Sequence, residues 1–215
     1  MKRFYLTTAI SYPNGSPHIG HAYEAIAADV IARAKKLSLI PEVRLCTGTD
    51  EHGLKMVQTA RDLGMPVKTL ADSRSALFEN MNRALSVDFD RFIRTTDPHH
   101  HETAQKLWRR MSNDLYLDKY SGWYSVRDEA YFDEDELVVA DGGEKFTKDG
   151  NPVEWIEEES WFFRLSAYGD RLKQHFADHP DFLQPESSRN EILVMLDDLR
   201  DISVSRTTFD WGVPV

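Results

Sequence analysis

A single cysteine, Cys46, stands in 215 residues. That scarcity excludes an intrachain disulfide and any zinc knuckle built from several cysteines. Its setting, "EVRLCTG", reads as a buried strand end carrying a packing thiol. Long apolar runs are missing too. The first residues, "MKRFYLTTAISY", are basic but lack an uninterrupted hydrophobic stretch, and no segment reaches transmembrane length. A cytoplasmic protein without a membrane partner is expected. Positive charge is also short, with 26 Lys and Arg against 36 Asp and Glu, a net charge of −10. This argues against a broad basic surface gripping a nucleic-acid backbone. Apolar residues are not scarce: 41% hydrophobic content is enough to exclude disorder and to build a sizeable core.

What is present begins with a strand pattern. In "RFYLTTAI", Phe4, Leu6, Thr8 and Ile10 fall on one side. "SYPNGSP" is a turn, in which Ser16 and Pro17 look like the N-cap and first position of a helix. "HIGHAYEAIAADVIARAKKL" follows with a stripe through Ile19, Ala22, Ile26, Val30 and Leu37. "EVRLCTGTD" is a second strand, and "EHGLKMVQTARDLGM" a second helix ending at Gly64. Residues 66–86 are helical, and "DPHHHETAQKLWRRMSNDLYLDKY" reads as one further long helix anchored by Leu107, Met111 and Leu115. From 119 to 160 the chain turns aromatic, acidic and turn-rich, as an inserted β-rich subdomain would. Helical patterns return in "FFRLSAYGDRLKQHFADHP" and "SRNEILVMLDDL".

Strand, loop, helix, strand, loop, helix predicts an α/β fold with a parallel sheet. Such sheets bind ligands at the carboxyl ends of their strands. Both "SYPNGSPHIGH" and "TGTDEHG" fall at such ends. With two clear strands the sheet is undersized, and an incomplete domain is expected.

His18 and His21 lie at a helix start, where unpaired N–H groups and a positive partial charge favour phosphate. Gly20 between them leaves the backbone open to a flat ring or phosphate chain. Phosphate binding, metal ligation and plain packing all remain open, but the i, i+3 spacing lacks the i, i+4 geometry of paired zinc histidines. Asp50 suits a substrate ammonium or a magnesium ion, whereas Glu51 and His52 leave two readings open, a part in the site or the solvated first turn of the next helix, where acidic residues are favoured. "HHHE" at 99–102 points in several directions along a helix and reads as a solvated start. "DEDE" at 133–136 lacks calcium-loop spacing and reads as a solvated loop. Arg206 in "DISVSRTTF" could reach a phosphate or carboxylate, or merely face solvent.

Four segments in order, "TAISYPNGSPHIGHAYEAIAADVIAR", "CTGTDEHG", "ESWFFRLS" and "DISVSR", resemble the bacterial methionyl-tRNA synthetase family within the class I aminoacyl-tRNA synthetases. "PHIGH" is similar to that class's HIGH signature, and the resemblance spans the whole chain. It implies a Rossmann-like catalytic domain interrupted by a connective-peptide insertion. Residues 1–115 would open the catalytic domain, 116–155 would form the insertion, and 156–215 would return to the catalytic domain. It implies activation of L-methionine with ATP and Mg2+ to methionyl-adenylate, then transfer to methionine tRNA. His18 and His21 would stabilise the ATP phosphates, and Gly20 would lie against the adenosine. Ile10 and Tyr12 would line the methionine pocket, Asp50 would hold its ammonium group, and Arg206 would stand near the active site.

The departures carry expectations of their own. An insertion without cysteine resembles the family's metal-free version, so no zinc is expected. The lysine signature KMSKS and much of the tRNA contact would lie in a carboxyl-terminal remainder. Two other functions compete: a small-molecule nucleotidylyltransferase with a HIGH-type turn, and a non-catalytic piece that binds a nucleotide or amino acid.

Overall fold

A computed structural model of the chain describes residues 3–128, 130–140, 142–207 and 209–215, the side chains of Tyr120 and Glu158 excepted. The residues fall into two compact units. One comprises 1–107, 126–130 and 210–215; the other comprises 108–125 and 131–209.

The first unit is built on a parallel sheet. β1 (Arg3–Thr7) pairs with β2 (Glu42–Thr49), and β2 with β3 (Arg91–Arg94). α1 (Ile19–Leu37) connects β1 to β2, while α2 (Leu54–Asp62) and α3 (Val67–Ala84) connect β2 to β3. α2 stops where expected, with Leu63 as its C-cap and Gly64 at φ +64, the left-handed turn that glycine takes without strain. The third strand has no clear signature in the sequence. "RFIR" is four residues long with a charge at each end, too short to show alternation.

The α1 stripe requires correction. Ile19 is 88% exposed, Val30 58% and Leu37 84%, whereas Ala25, Ala28 and Ala32 are buried. These alanines pack with Val43, Leu45 and Val87, against which Phe4, Leu6 and Met81 also rest. Small side chains let the helix backbone lie close to the sheet, and that proximity selects the alanine face over the aliphatic one. Cys46 is half-buried rather than buried, on a strand otherwise closed off at Thr47, Gly48 and Thr49. A second core cluster joins Met56, Ala60, Leu70 and Ala71, with Tyr12, Val67 and Trp211 packed against it.

α4 (Pro98–Arg110) ends five residues before Leu115, where a long strand begins instead of the expected continuing helix. In the second unit β4 (Leu115–Ser125) pairs antiparallel with β8 (Glu154–Phe163) from Leu115↔Phe163 to Tyr124↔Glu154. β5 (Ala130–Phe132) and β9 (Ile202–Ser203) flank that ladder, and β6 (Leu137–Val139) and β7 (Lys145–Thr147) form a separate hairpin. α5 (Gly169–Asp178) and α6 (Glu186–Met195) follow. The acidic run at 133–136 is solvent-exposed, as expected, and Glu134 makes surface contacts from it. Glu134 accepts from Trp123 Nε1 at 2.7 Å and pairs with Lys145, which lies 4.2 Å over the Trp123 ring. Trp123 also meets Trp155 edge-on at 5.3 Å. Among the described residues no helix is long and apolar enough to cross a membrane.

Candidate active site at the carboxyl ends of the first two strands

His18, not Ser16, is the N-cap of α1. Its Nδ1 accepts from the Gly20 N–H at 3.1 Å, and His21 Nδ1 accepts from the His18 N–H at 3.1 Å. Two histidines thus form a reciprocal capping box, the arrangement usually made by Ser or Thr with Glu or Gln. The helix starts two residues later than Ser16 and Pro17 suggest, because the imidazole at position 18 supplies the acceptor that a Ser16 cap would otherwise provide. The two rings lie 3.8 Å apart, and His21 meets Phe78 edge-on at 5.0 Å.

This cap fixes the protons. With both Nδ1 atoms accepting, each neutral ring carries its hydrogen on Nε2, leaving two Nε2–H donors at the positive end of α1. Burial, followed by the neighbouring His18, pushes the His21 pKa below its ordinary value, so at neutral pH His21 is an uncharged donor. Gly20 has a tighter requirement than open backbone. A Cβ there would stand 3.0 Å from His18 Cε1 and 3.1 Å from its Nδ1, so the ring occupies that space.

The two strand ends are tied to each other and to α1. Ala9 N–H donates to Glu24 Oε1 at 2.8 Å, and Thr8 Oγ1 donates to Thr47 Oγ1 at 2.8 Å. Ser11 N–H donates to Gly48 O at 3.0 Å, and Asp50 N–H to Ser11 O at 2.8 Å. These bonds set Asp50 beside the Ile10–Tyr12 segment, which a sequence gap of almost 40 residues does not reveal. His21, Glu24, Thr8, Ala9, Ser11 and Asn82 border a shallow, open cleft. Tyr12 is half-buried, and its hydroxyl accepts from the Met56 N–H at 3.2 Å. That N–H belongs to the first turn of α2, whose N-cap Gly53 offers no side chain, so Tyr12 satisfies a donor the helix leaves open.

Glu51 corrects the sequence reading most. It is completely buried, and its carboxylate takes Arg94 Nε at 2.7 Å, Arg94 Nη2 at 2.8 Å, and the Thr49 and Thr96 hydroxyls at 2.6 Å each. Burial opposes its charge, yet the Arg94, Thr49 and Thr96 hydrogen bonds hold its pKa below the ordinary carboxylate value. The sequence does point to a carboxylate after a strand; it holds no sign of the arginine on an unrecognised third strand. Trp211 escapes a sequence reading as well. From residues 210–215 it reaches back to donate Nε1–H to Glu51 O at 2.5 Å and to meet the His52 ring at 5.6 Å.

His52 is half-buried, with the His101 ring 5.4 Å away. So "HHHE" is not wholly a solvated helix start: His101 Nε2 is buried without a hydrogen-bond partner. Burial first, then His101 and His100, push the His52 pKa from 6.5 to about 4. The unfolded chain therefore protonates His52 near pH 6.5 and the folded chain only near pH 4. The stability this supplies is complete above pH 6.5 and is lost as pH falls toward 4. Urea unfolding across that interval should show stability falling by roughly 1 kcal/mol per pH unit, and His52→Gln should flatten that slope.

Arg206 belongs to the second unit. Its Nη1 donates to Ser203 Oγ at 2.7 Å and to Ser205 O at 2.8 Å, and its guanidinium lies 5.5 Å from the Tyr131 ring centre. There "DISVSR" and "ESWFFRLS" interlock. Phe163 pairs with Ile202, Val204 N–H donates to Trp161 O at 2.8 Å, and Asp201 accepts from the Ser166 N–H and hydroxyl and the Tyr116 hydroxyl. Among the described residues no cluster of three or more His, Cys, Asp or Glu side chains is arranged to hold a metal ion.

Methionine–tRNA ligase of Mycobacterium tuberculosis strain H37Rv is 55% identical over 218 residues, an overlap of 100% of this chain and 42% of the relative. That of Rhizobium meliloti strain 1021 is 55% identical over 215 residues, 99% of this chain and 42% of its own length. The chain therefore spans about two-fifths of these relatives. The solved structure of M. tuberculosis methionyl-tRNA synthetase in complex with methionyl-adenylate matches with a TM-score of 0.94 at 55% identity, covering 100% of this chain and 43% of that one. The apo form of the synthetase matches at 0.78, with 52% identity over 100% of this chain and 41% of that one. Residues 4–141 and 144–215 match the family described as tRNA synthetases class I (M). A histidine-capped helix against a parallel sheet, continued through both units by the family match, makes this chain a member of the class I (M) tRNA synthetases.

Proposed function

We propose that the chain supplies the opening portion of the catalytic domain of a methionine–tRNA ligase. The observation that carries this reading is the histidine box on α1, with its two Nε2–H donors, seated beside the Asp50 strand end. Methionine–tRNA ligases and an adenylate-bound synthetase as the similar proteins support it.

Amino-acid activation forms a bond between a methionine carboxylate oxygen and the α-phosphorus of ATP, supplied as its magnesium complex. The bond from that phosphorus to the departing pyrophosphate breaks. Negative charge spreads over the phosphoryl oxygens in the transition state, and the His18 and His21 Nε2–H groups stabilise it without a proton changing hands. Asp50 holds the methionine ammonium, Ile10 and Tyr12 border the amino acid, and Gly20 lies against the adenosine. Arg206 serves an anionic group, a role that rests on the family resemblance alone. The aminoacyl group then passes to the 3′ end of methionine tRNA. In this reading residues 1–115 and 156–215 belong to the catalytic domain and 116–155 form its connective-peptide insertion, free of zinc. The protein works in the cytoplasm, and the lysine signature and most tRNA contacts come from further chain.

Asp50 provides the test. In protein of the relatives' full length, calorimetry with a non-hydrolysable methionyl-adenylate analogue should show tight binding. Asp50→Ala should weaken it roughly a hundred-fold, as expected for losing a charge-assisted partner of a buried ammonium. Equal binding by both proteins would remove Asp50 from the amino-acid site.

A further inference from the structure

We propose that Arg94 and Glu51 are a positioning couple for the ammonium-binding site, acting through Asp50. The proposal rests on the reading of Asp50 given above.

Glu51 has no unsatisfied polar group. Its two carboxylate oxygens receive four donors, two from the Arg94 fork and one each from Thr49 and Thr96. Its N–H donates to Thr95 Oγ1 at 2.8 Å, and its carbonyl accepts from Trp211 Nε1. A residue held at side chain, amide and carbonyl has little freedom left. Asp50 is its immediate neighbour, with its own amide held by Ser11 O. The backbone on both sides of Asp50 is thus fixed, which aims a half-buried carboxylate.

The couple is anchored beyond the strand end. Arg94 Nη2 also donates to Asp72 at 2.7 Å, and Asp72 is paired with Lys68 on α3. Ser75 on the same helix bonds the Thr49 hydroxyl at 2.8 Å. On the other side of Glu51, Gly53 sits at φ 115 and gives α2 no side-chain cap, so the segment from 50 to 53 has little local structure of its own. Its shape is imposed by Arg94 from β3 and by Trp211. A 1 Å displacement of a substrate-holding group is enough to cost large factors in turnover or binding, and this couple prevents that displacement.

Purely structural service would show as lost folded protein with unchanged substrate preference. The two roles separate in protein of the relatives' full length, assayed by pyrophosphate exchange and by competition with 4-methylthiobutanoate, the methionine analogue without its amino group. Arg94→Met should raise KM for methionine roughly ten- to a hundred-fold, with KM for ATP within about two-fold and the preference for methionine over the amine-free acid largely lost. Arg94→Lys keeps one charge but not the fork and should fall between. Should Arg94→Met fail to fold, Thr96→Val removes one donor to Glu51 and should shift the same ratio a few-fold. Folded variants with wild-type methionine KM and wild-type preference for the amine would overturn the positioning role. If the unsubstituted protein showed no methionine-dependent exchange, the methionine–tRNA ligase reading would fail instead.

Discussion

Gly48→Ala should yield little folded protein, with any folded fraction destabilised by more than about 3 kcal/mol. Gly48 lies near the end of β2, between β1 and β3, opposite Ile93. A Cβ at this position would stand 1.9 Å from the Ile93 carbonyl oxygen and 2.8 Å from its carbonyl carbon. Those are backbone atoms, so no rotamer change relieves the clash; the β2–β3 ladder must part. Arg94 is next in sequence to Ile93 and holds Glu51, so parting the ladder also releases the segment carrying Asp50. Thermal unfolding of the 215-residue chain should show a midpoint lower by roughly 6–12 °C. Gly15→Ala, with nothing within 4 Å of its added carbon, is the control and should melt near the parent chain. A Gly48→Ala chain as stable as that control would mean that the strand ends are not packed as described.

The second large effect is kinetic. His21→Ala in protein of the relatives' full length should lower methionine-dependent pyrophosphate exchange by about 10²–10³ in kcat, the usual cost of one transition-state hydrogen-bond donor. It also removes the acceptor for the His18 N–H, which costs on the order of 1 kcal/mol of stability. His21→Gln separates the two roles. Glutamine at the third helical position can rebuild the cap but cannot present a ring Nε2–H at the same point. Stability should recover with glutamine, and turnover should not. If glutamine restored turnover as well, the imidazole at position 21 would be a capping group only.

These contrasts show which features a sequence exposes. The HIGH-type stretch, the strand–helix alternation and the Asp50 motif are local, so residue types and spacings alone carry their signal. Arg94 is different, because its meaning depends on a four-residue strand with no alternation of its own and on a partner 43 positions away. The burial of Glu51 is hidden for the same reason: an acidic residue ahead of a helix reads as a solvated first turn until its partners are known. α1 misleads in another way. Its larger aliphatic residues form the more persuasive stripe, but contact distance to the sheet decides the packing and favours alanine. Likewise, a cap at Ser16 is a sound reading of serine before proline, and only the geometry of His18 displaces it. Local chemistry is legible; the long-range bonds that aim it are not.

The most direct test of the account is methionine-dependent exchange of labelled pyrophosphate into ATP, measured with protein of the relatives' full length and each standard amino acid in turn. Exchange should appear with methionine and be far weaker with the others. Exchange without any amino acid, or with another amino acid in preference to methionine, would contradict the assignment of this site to methionine activation.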